Sequence, residues 1–185
     1  MTSAPARTPR VRAFLASSLD GFIAGERDDL SWLPQPPTDG SAHDDAGFGD
    51  LLAETGAMLM GRRTYDVVAG FDGGWPYGEL PVLVATHRPL QAVVPTVRPV
   101  AGTTLEVVKA ARAAAGTRDV YVDGGMMLRA TLDAGLLDEL TVTIVPVVLG
   151  SGIPLGAGTT RRHALTLARH RVLHGGMVQL TYLRG

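Results

Sequence analysis

VYVDGG, residues 120–125, places two adjacent glycines directly after a short strand-forming run. Leu128, Leu132 and Leu136 follow at helical spacing, and a second apolar run covers residues 140–149. The pattern predicts a strand, a glycine turn, a helix and another strand. Glycines in such a turn let backbone N–H groups approach an anion, and the helix dipole favours a pyrophosphate there. The alternative explanation of a glycine pair is an ordinary tight turn.

A second candidate anion site is MGRRTYD, residues 60–66, which follows the apolar run 57–60. This position predicts the change from a strand to a helix, with Arg62, Arg63 and Thr64 in the first helical turn. Two guanidinium groups and a hydroxyl can bind a phosphate there. Cations at this end oppose the helix dipole, so they favour a ligand anion. A solvated arginine pair is the alternative.

Periodicity predicts the other elements of the chain. Thr103, with Glu106 three residues later, forms a capping box that opens a helix ending near Gly116. Another helix is predicted from Asp44 or Asp45 to about Thr55. The predicted strands cover residues 11–17, 22–24, 57–60, 81–86, 97–100, 120–123, 140–149, 165–173 and 177–183.

The alternation of strands and helices predicts an α/β fold with three layers, α/β/α. Its central sheet should be mainly parallel and covered on both faces, with antiparallel strands at the C-terminal edge. We expect a flexible tail over residues 1–10 and one domain over residues 11–185. A long loop over residues 25–42, rich in Pro, Asp, Gly and Ser, is expected to be functional.

Composition excludes several classes of function. The 185 residues carry a net charge of −1, so no basic field for general nucleic-acid binding is expected. Cysteine is absent, which excludes disulfides, thiolate nucleophiles and cysteine-ligated zinc. The histidines have no metal-ligand spacing, so no metal site is predicted. No apolar run suits a secretion signal or a membrane span, and we expect a cytoplasmic protein.

Three predicted turns follow the carboxyl ends of strands, which lie at one edge of a parallel sheet. In such sheets this edge is where ligands bind. The turns are residues 60–64, 86–88 and 123–125. Three anion-compatible turns suit a dinucleotide with an additional 2′-phosphate, which favours NADP(H) over NAD(H). The glycine pattern of an ordinary Rossmann fingerprint does not follow the first strand.

Five short motifs together resemble the dihydrofolate reductase superfamily, and more closely its branch that contains the reductase domain of bacterial riboflavin biosynthesis. The resemblance spans residues 11–183 and implies a dihydrofolate reductase-like fold. It rests on SLDGFIA (18–24), MGRRTY (60–65), VDGG (122–125), DEL (138–140) and, after Pro146, GSGIPL (150–155).

This resemblance implies an NADPH-dependent reductase and a set of cofactor residues. Those around the adenosine phosphates are Gly61, Arg62, Arg63, Thr64, Thr86 and His87, those of the pyrophosphate turn are Asp123, Gly124, Gly125 and Met126, and those near the nicotinamide are Ala16, Ile23 and Ala24. The family often has a cis peptide at this glycine pair, so we expect a strained bond at residues 123–125. Trp32 would anchor a mobile lid.

The substrate side rests on fewer residues. In folate-reducing members an acidic residue lies about fifteen positions before the Met-Gly-Arg motif, which corresponds to Asp45, with Phe48 one turn later. Asp45 is alternatively a helix N-cap. In the riboflavin-type branch Asp20 would face the substrate or the cofactor, and a simple Asp-Gly turn is its alternative. Arg161 and the arginine after it are candidates for a substrate phosphate, or else a solvated pair.

The expected reaction is hydride transfer to a C=N or C=O carbon of a pterin- or ribosylaminopyrimidine-like small molecule. The proton would come from water, Asp20 or Asp45. Two alternatives are a non-catalytic nucleotide- or flavin-binding module on the same fold, and a true dihydrofolate reductase. We expect no deaminase domain within these 185 residues, because its zinc signature needs cysteine. Relatives of the riboflavin branch are often homodimers, and the run 140–149 is a candidate interface strand.

Overall fold

The computed structural model describes residues 9–34 and 45–185. Its strands are β1 (Val11–Ser18), β2 (Phe22–Ala24), β3 (Thr55–Gly61), β4 (Val82–Ala85), β5 (Val97–Val100), β6 (Asp119–Asp123), β7 (Glu139–Val145), β8 (Ile153–Pro154), β9 (Leu165–Val172) and β10 (Val178–Arg184). The helices are α1 (Phe48–Glu54), α2 (Arg62–Ala69), α3 (Thr104–Ala115) and α4 (Gly125–Asp133). Short 3₁₀ turns cover Glu26–Asp28 and His174–Gly176. Most of the tail predicted over residues 1–10 lies outside the described residues.

One sheet of eight strands forms the centre, in the order β5-β4-β3-β6-β1-β7-β10-β9. The six strands from β5 to β7 in this order pair in parallel. β10 is antiparallel to both of its neighbours, β7 and β9. This arrangement confirms the predicted mainly parallel sheet with antiparallel strands at its C-terminal edge. The pair β2 and β8 lies outside this sheet, and β8 is a strand that periodicity does not predict.

Helices cover both faces, as the three-layer prediction required. On one face α1 and α2 pack over a cluster that includes Met58, Met60 and Tyr121. On the other face α3 and α4 pack over a cluster that includes Leu59 and Val122. Side chains of successive residues in β3 and β6 therefore pack into the cores on opposite faces of the sheet. This explains why the sequences of these strands are continuously apolar.

The capping box predicted for α3 is present. The Thr103 side chain accepts the Glu106 N–H, and the Glu106 carboxylate accepts the Thr103 N–H at 2.7 Å. α3 ends at Ala115, next to the predicted end at Gly116.

Strand β7 is shorter than predicted. It ends at Val145 and not at residue 149, because Pro146 has no N–H for the ladder and Val147 donates instead to the carbonyl of Val145 at 2.8 Å. β7 also lies inside the sheet, between β1 and β10. It therefore has no free edge for pairing with a second chain, and the use of this run as an interface stays a prediction. The homodimer itself stays a prediction.

The chain leaves β1 and β6 in opposite directions. β1 leads through α1 across β6 to β3, whereas β6 leads through α4 across β1 to β7. The two strands pair only from Val11 with Val120 to Ala13 with Val122 and then separate. In open α/β sheets the crevice at such a reversal, at the carboxyl ends of the strands, is the usual ligand site.

None of the helices formed by residues 9–34 and 45–185 combines the length and hydrophobicity needed to cross a bilayer.

Candidate active site

The amino ends of α2 and α4 meet where β3 and β6 end, and β6 also borders the crevice towards β1. The Thr64 side chain lies against Gly124 so closely that a Cβ atom on Gly124 would collide with the Thr64 hydroxyl. In the same way Gly61 faces the Met126 side chain, and a Cβ on Gly125 would meet the Ile23 side chain. The structure thus brings together residues of three separate sequence motifs. Two helix amino ends directed at one place are suited to bind an anion.

The glycine turn reaches this geometry with trans peptides. Gly124 has φ 85° and ψ 144°, a conformation that favours glycine, and its N–H donates to the Asp123 carboxylate at 2.8 Å. The described residues contain no cis peptide bond, so the expectation of a cis bond at residues 123–125 is wrong. The positive φ of Gly124 already turns the chain from β6 into α4.

Arg62 connects two of the predicted turns. Its Nε forms an ion pair with Asp66 at 2.7 Å, and its Nη1 donates to the carbonyl of Pro89 at 2.7 Å. The register of β3 with β4, Gly61 opposite Ala85, brings the segment after β4 beside α2. Thr86 in that segment accepts the Arg88 N–H at 3.1 Å, and the next residue, His87, is exposed. The candidate residues for the adenosine phosphates therefore border one surface.

Arg63 contacts the loop that the sequence predicted to be a lid. Its Nε lies 2.7 Å from Oδ1 of Asp28. Arg27 and Asp28 both have positive φ, 57° and 65°, which is uncommon outside glycine. The Trp32 Nε1–H donates to the carbonyl of Asp29 at 3.1 Å within the same loop, and its role as the anchor of a lid stays a prediction. Residues 35–44 of this loop lie outside the described residues.

The candidate nicotinamide residues lie on β1 and β2. Ala16 pairs with Thr143 of β7, and Ala24 is buried. The carbonyl of Ala24 lies where a Cβ of Gly152 would be, which packs the loop before β8 closely onto β2. Ile23, next to Ala24, contacts Gly125 as described above.

Asp20 holds two loops together. Its carboxylate accepts the Ser18 hydroxyl at 2.6 Å and the N–H groups of Leu149 and Gly150 at 3.1 and 2.7 Å. The hydrogen bond from Ser18 is the largest cause that lowers the pKa of Asp20 from 3.8 to about 2. A carboxyl with so low a pKa is a carboxylate at neutral pH, which disfavours it as a proton donor. Its proposed role in proton transfer stays a prediction.

Asp45 caps the start of α1. Its two carboxylate oxygens accept the N–H groups of Gly47 and Gly49 at 2.8 and 2.7 Å, and the helix begins at Phe48. The N-cap residue itself is Gly47, so Asp45 satisfies N–H groups at the start of the helix without being the predicted N-cap. Whether Asp45 also delivers a proton stays a prediction.

An aromatic cluster lies under the crevice, on the face that carries α1. The ring of Phe48 lies 5.8 Å from that of Phe14 and 6.0 Å from that of Tyr121. The Tyr121 hydroxyl donates to the carbonyl of Phe14 at 2.9 Å, which bridges the gap where β1 and β6 separate. Phe48, predicted from spacing alone, is therefore part of this aromatic cluster.

Asp123 extends from the end of β6 above this cluster and is half-buried. Its Oδ2 lies 3.4 Å from the hydroxyl of Tyr77, in a long hydrogen bond. Burial raises the pKa of Asp123 and, with the nearby carboxyl, raises the pKa of Tyr77. The sequence analysis missed Tyr77. Its setting in GGWPYG, residues 73–78, suggests a buried aromatic anchor, but no spacing connects this loop to Asp123.

A groove of about 850 Å³ runs from Phe14 down the sheet between α1 and the strands β7, β10 and β9. Arg12 at its base is buried and forms ion pairs with Glu139 at 2.7 Å and with Glu54 at 2.5 Å. The other polar residues of the wall are Arg10, Asp50, Glu54, Thr141, Arg169, His170, Arg171, Gln179 and Thr181.

Two arginines of this groove have no acidic partner among the described residues. Arg171 donates to the Gln179 side chain at 2.8 Å and to the carbonyl of Ala46. In the part of the chain that the structure describes, neither Arg169 nor Arg171 forms an ion pair with a carboxylate. Arg161, the sequence candidate for a substrate phosphate, instead donates to the carbonyl of Asp133 at 2.6 Å. The groove therefore offers cationic groups that the sequence analysis did not select.

Residues 9–34 and 45–185 contain no group of three or more His, Asp or Glu side chains arranged to hold a metal ion.

Comparison with known proteins identifies the family. Residues 9–179 match the model of the RibD C-terminal domain. The uncharacterized protein YyaP of Bacillus subtilis (strain 168) is 29% identical over 184 residues, which cover 94% of each chain. A crystal structure of a protein provisionally assigned to riboflavin biosynthesis, from Shewanella sp. PV-4, is 31% identical with a TM-score of 0.84, over 95% of this chain and 99% of that one.

The fold is shared more widely. A diaminohydroxyphosphoribosylaminopyrimidine deaminase/5-amino-6-(5-phosphoribosylamino)uracil reductase of Thermotoga maritima aligns with a TM-score of 0.65 at 16% identity, over 96% of this chain and 57% of that one. The match with the family model and the shared fold agree with the resemblance found in the motifs. The chain belongs to the RibD C-terminal domain family, with the dihydrofolate reductase-like fold of its reductases.

Proposed function

We propose that this protein is an NADPH-dependent reductase that transfers a hydride to a C=N or C=O carbon of a ribosylaminopyrimidine- or pterin-like molecule. The observation that carries the proposal is the convergence of the amino ends of α2 and α4, with Thr64 against Gly124. A groove that could hold a substrate lies on the α1 face of the same sheet. Membership of a reductase family supports the same reaction class.

The residues present fit a dinucleotide phosphate. Gly124 and Gly125 keep the turn free of Cβ atoms, so that the N–H groups at the start of α4 are open to a pyrophosphate. Arg62 and Arg63, with Thr86 and His87, would hold the 2′-phosphate at the adjacent strand ends. When bound, NADPH supplies the hydride from its nicotinamide ring. The protein's own part is to bind, orient and exclude water.

The groove supports a polar substrate with an anionic end. Phe14, whose ring packs against that of Phe48, gives the upper part an aromatic side chain on which a flat heterocycle can pack. Lower down, Arg169 and Arg171 provide guanidinium groups that suit a phosphate. Dihydrofolate also carries an anionic end, its glutamate carboxylates, which arginines bind as well. The acceptor assay therefore decides between the two.

The experiment is an assay of NADPH oxidation by the purified protein with two acceptors, 5-amino-6-(5-phosphoribosylamino)uracil and dihydrofolate. We expect turnover with the first and little with the second. Turnover with dihydrofolate alone would identify a true dihydrofolate reductase. Saturable NADPH binding without oxidation by either acceptor would favour the non-catalytic binding module.

The variant Arg169→Ala tests the anionic end of the groove in the same assay. We expect a higher KM for the phosphorylated acceptor and an unchanged Kd for NADPH, because Arg169 lies in the groove and not at the helix amino ends. Arg98→Ala, an exposed arginine on β5, is the matched control. An unchanged KM would remove the groove from the proposed substrate site.

A further inference from the structure

Arg129 connects the glycine turn to a distant part of the chain. It lies on α4, one turn after Gly125, and a Cβ atom on Gly125 would lie only 2.8 Å from its Nη1. The same Nη1 donates to the carbonyl of Pro154 at 2.9 Å and to that of Leu155 at 3.4 Å. Both carbonyls belong to the β8 segment, which we define as residues 150–163. One half-buried side chain therefore contacts both the candidate pyrophosphate turn and the β8 segment.

The β8 segment in turn holds β2. The two strands pair in antiparallel orientation, with Ala24 opposite Ile153. The Leu155 N–H also donates to the carbonyl of Gly21, just before β2, at 2.9 Å. This pair of strands is separate from the eight-stranded sheet, so no ladder of that sheet fixes its position. Contacts of the β8 segment therefore help to decide where β2 lies, together with its candidate nicotinamide residues Ile23 and Ala24.

Ile23 closes this chain of contacts. A Cβ atom on Gly125 would lie 2.6 Å from Ile23 Cδ1, so Ile23 and Arg129 flank the same glycine. The contacts run from α4 through Arg129 to β8, from β8 to β2, and from Ile23 back to α4. The distance between the glycine turn and β2 is thus fixed at two points.

Main-chain carbonyls hold the Arg129 guanidinium. In the part of the chain that the structure describes, no carboxylate forms an ion pair with it. A substitution of Arg129 therefore leaves no carboxylate without its cation, and its effect reports on the contact with the β8 segment.

α4 holds the β8 segment at a second place, away from the glycine turn. Asp133, one helical turn after Arg129, accepts the Thr160 N–H at 2.9 Å, and its Oδ1 lies 2.7 Å from Nε2 of His163. Asp133 is the last residue of α4, whereas the Arg129 side chain reaches back to Gly125. The two residues attach the same segment to the same helix at opposite ends, which allows a positioning role to be separated from general stabilisation.

We propose that Arg129 is a positioning residue of the reduction, which holds β2 at the distance from the glycine turn that places the nicotinamide ring against its acceptor. This proposal rests on the proposed function. The acceptor carbon gains the hydride that the reduced nicotinamide loses as it is oxidised, and the heteroatom takes the π-electron pair and a proton from solvent. Arg129 takes no part in these bond changes. Its effect is on alignment, and a misplacement of about 1 Å can cost on the order of 10²-fold in rate.

The first test measures binding and needs no turnover. Isothermal titration gives the Kd of NADPH and that of 2′-phospho-ADP-ribose, which lacks the nicotinamide ring. Arg129→Met should raise the Kd of NADPH by about 2- to 10-fold, the range of one lost ring contact, and leave that of 2′-phospho-ADP-ribose unchanged. The emission of bound NADPH should move towards that of the free cofactor. An equal loss for both ligands would overturn the proposal, because Arg129 would then act on the pyrophosphate itself, and no change for either ligand would overturn it as well.

Asp133→Asn is the matched control, since it loosens the β8 segment at its other end. Both Arg129→Met and Asp133→Asn should lower the melting temperature, but Asp133→Asn should leave both Kd values and the NADPH emission unchanged. A rise in the NADPH Kd of Asp133→Asn equal to that of Arg129→Met would show that any loosening of the segment suffices, and would overturn the positioning role. Arg129→Lys keeps a donor for one carbonyl and should lie between wild type and Arg129→Met. If Arg129→Met does not fold, Arg129→Lys takes its place in the comparison.

The second test measures NADPH oxidation with 5-amino-6-(5-phosphoribosylamino)uracil. Arg129→Met should lower kcat by about 10²-fold with little change in the KM of the acceptor, and Arg129→Lys should recover part of the loss. A kcat equal to that of wild type would refute the positioning role alone. If wild type binds NADPH but reduces no acceptor, the proposed function fails, whereas the comparison of NADPH with 2′-phospho-ADP-ribose still decides whether Arg129 positions the nicotinamide ring. If wild type binds neither ligand, both proposals fail.

Discussion

The side chain of Thr64, in the first turn of α2, fills the space that a Cβ atom on Gly124 would occupy. This contact joins the amino end of α2 to the turn that opens α4. The contact leaves no room for a Cβ atom at position 124. The positive φ of Gly124, 85°, separately favours glycine there.

Gly124→Ala should weaken NADPH binding at least 10-fold and destabilise the protein. The positive φ costs about 1–2 kcal/mol for alanine, and the collision with Thr64 displaces one helix amino end from the other. Thermal unfolding and a Kd measurement check both effects. Gly74→Ala is the control for the backbone alone, since Gly74 has φ 77° and open surroundings. Equal effects of the two substitutions would contradict the contact.

Arg62→Ala should weaken NADPH binding by about 1–3 kcal/mol and hardly change NADH binding, because the side chain is assigned to the 2′-phosphate. Isothermal titration with both cofactors measures this difference. Arg118→Ala, an exposed arginine just before β6, provides the comparison. An equal loss for NADPH and NADH would remove the 2′-phosphate assignment.

Asp28→Asn should tighten NADPH binding by up to about 5-fold. The ion pair of Asp28 with Arg63 competes with a cofactor phosphate for the guanidinium, and exposed pairs of this kind contribute about 0.2–1 kcal/mol. Asparagine tolerates the positive φ of Asp28, so the loop can keep its shape. Asp29→Asn, one residue along, should leave the NADPH Kd unchanged. Weaker binding by Asp28→Asn would show that the pair supports the bound state.

Asp20→Asn should lower the melting temperature at pH 7. The folded-state pKa of Asp20 is about 2, below its ordinary 3.8, mainly because of the Ser18 hydroxyl. A lowered carboxyl pKa stabilises the protein above the unfolded pKa, and this stability is lost as pH falls from about 3.8 through 2. The difference between wild type and variant in a pH series of thermal melts should therefore shrink in that range. A difference that stays constant down to pH 2 would argue against this linkage.

Much of the fold could be predicted because local patterns and tertiary packing agree. The apolar run in β3 is buried on both faces, as a central parallel strand requires, and the box of Thr103 and Glu106 caps α3. The predicted strand ends also place Arg62, Thr64 and Gly124 at one edge of the sheet, where the structure has them.

The remaining features depend on contacts far apart in the chain. Tyr77 reaches Asp123 across 46 positions, and Asp20 binds the N–H groups of a loop 129 and 130 positions away. No periodicity carries such information. β7 ends early because of the single residue Pro146. The spacing of Asp45 agrees both with a residue that caps α1 and with a residue that binds the substrate. Local sequence could not decide between those roles.

The central claim is that the joined amino ends of α2 and α4 bind NADPH. The most direct measurement is a titration of the purified protein with NADPH and with NADH, followed by the fluorescence of the reduced nicotinamide. The account predicts saturable binding that is at least 10-fold tighter for NADPH than for NADH. Failure to bind either cofactor would contradict it.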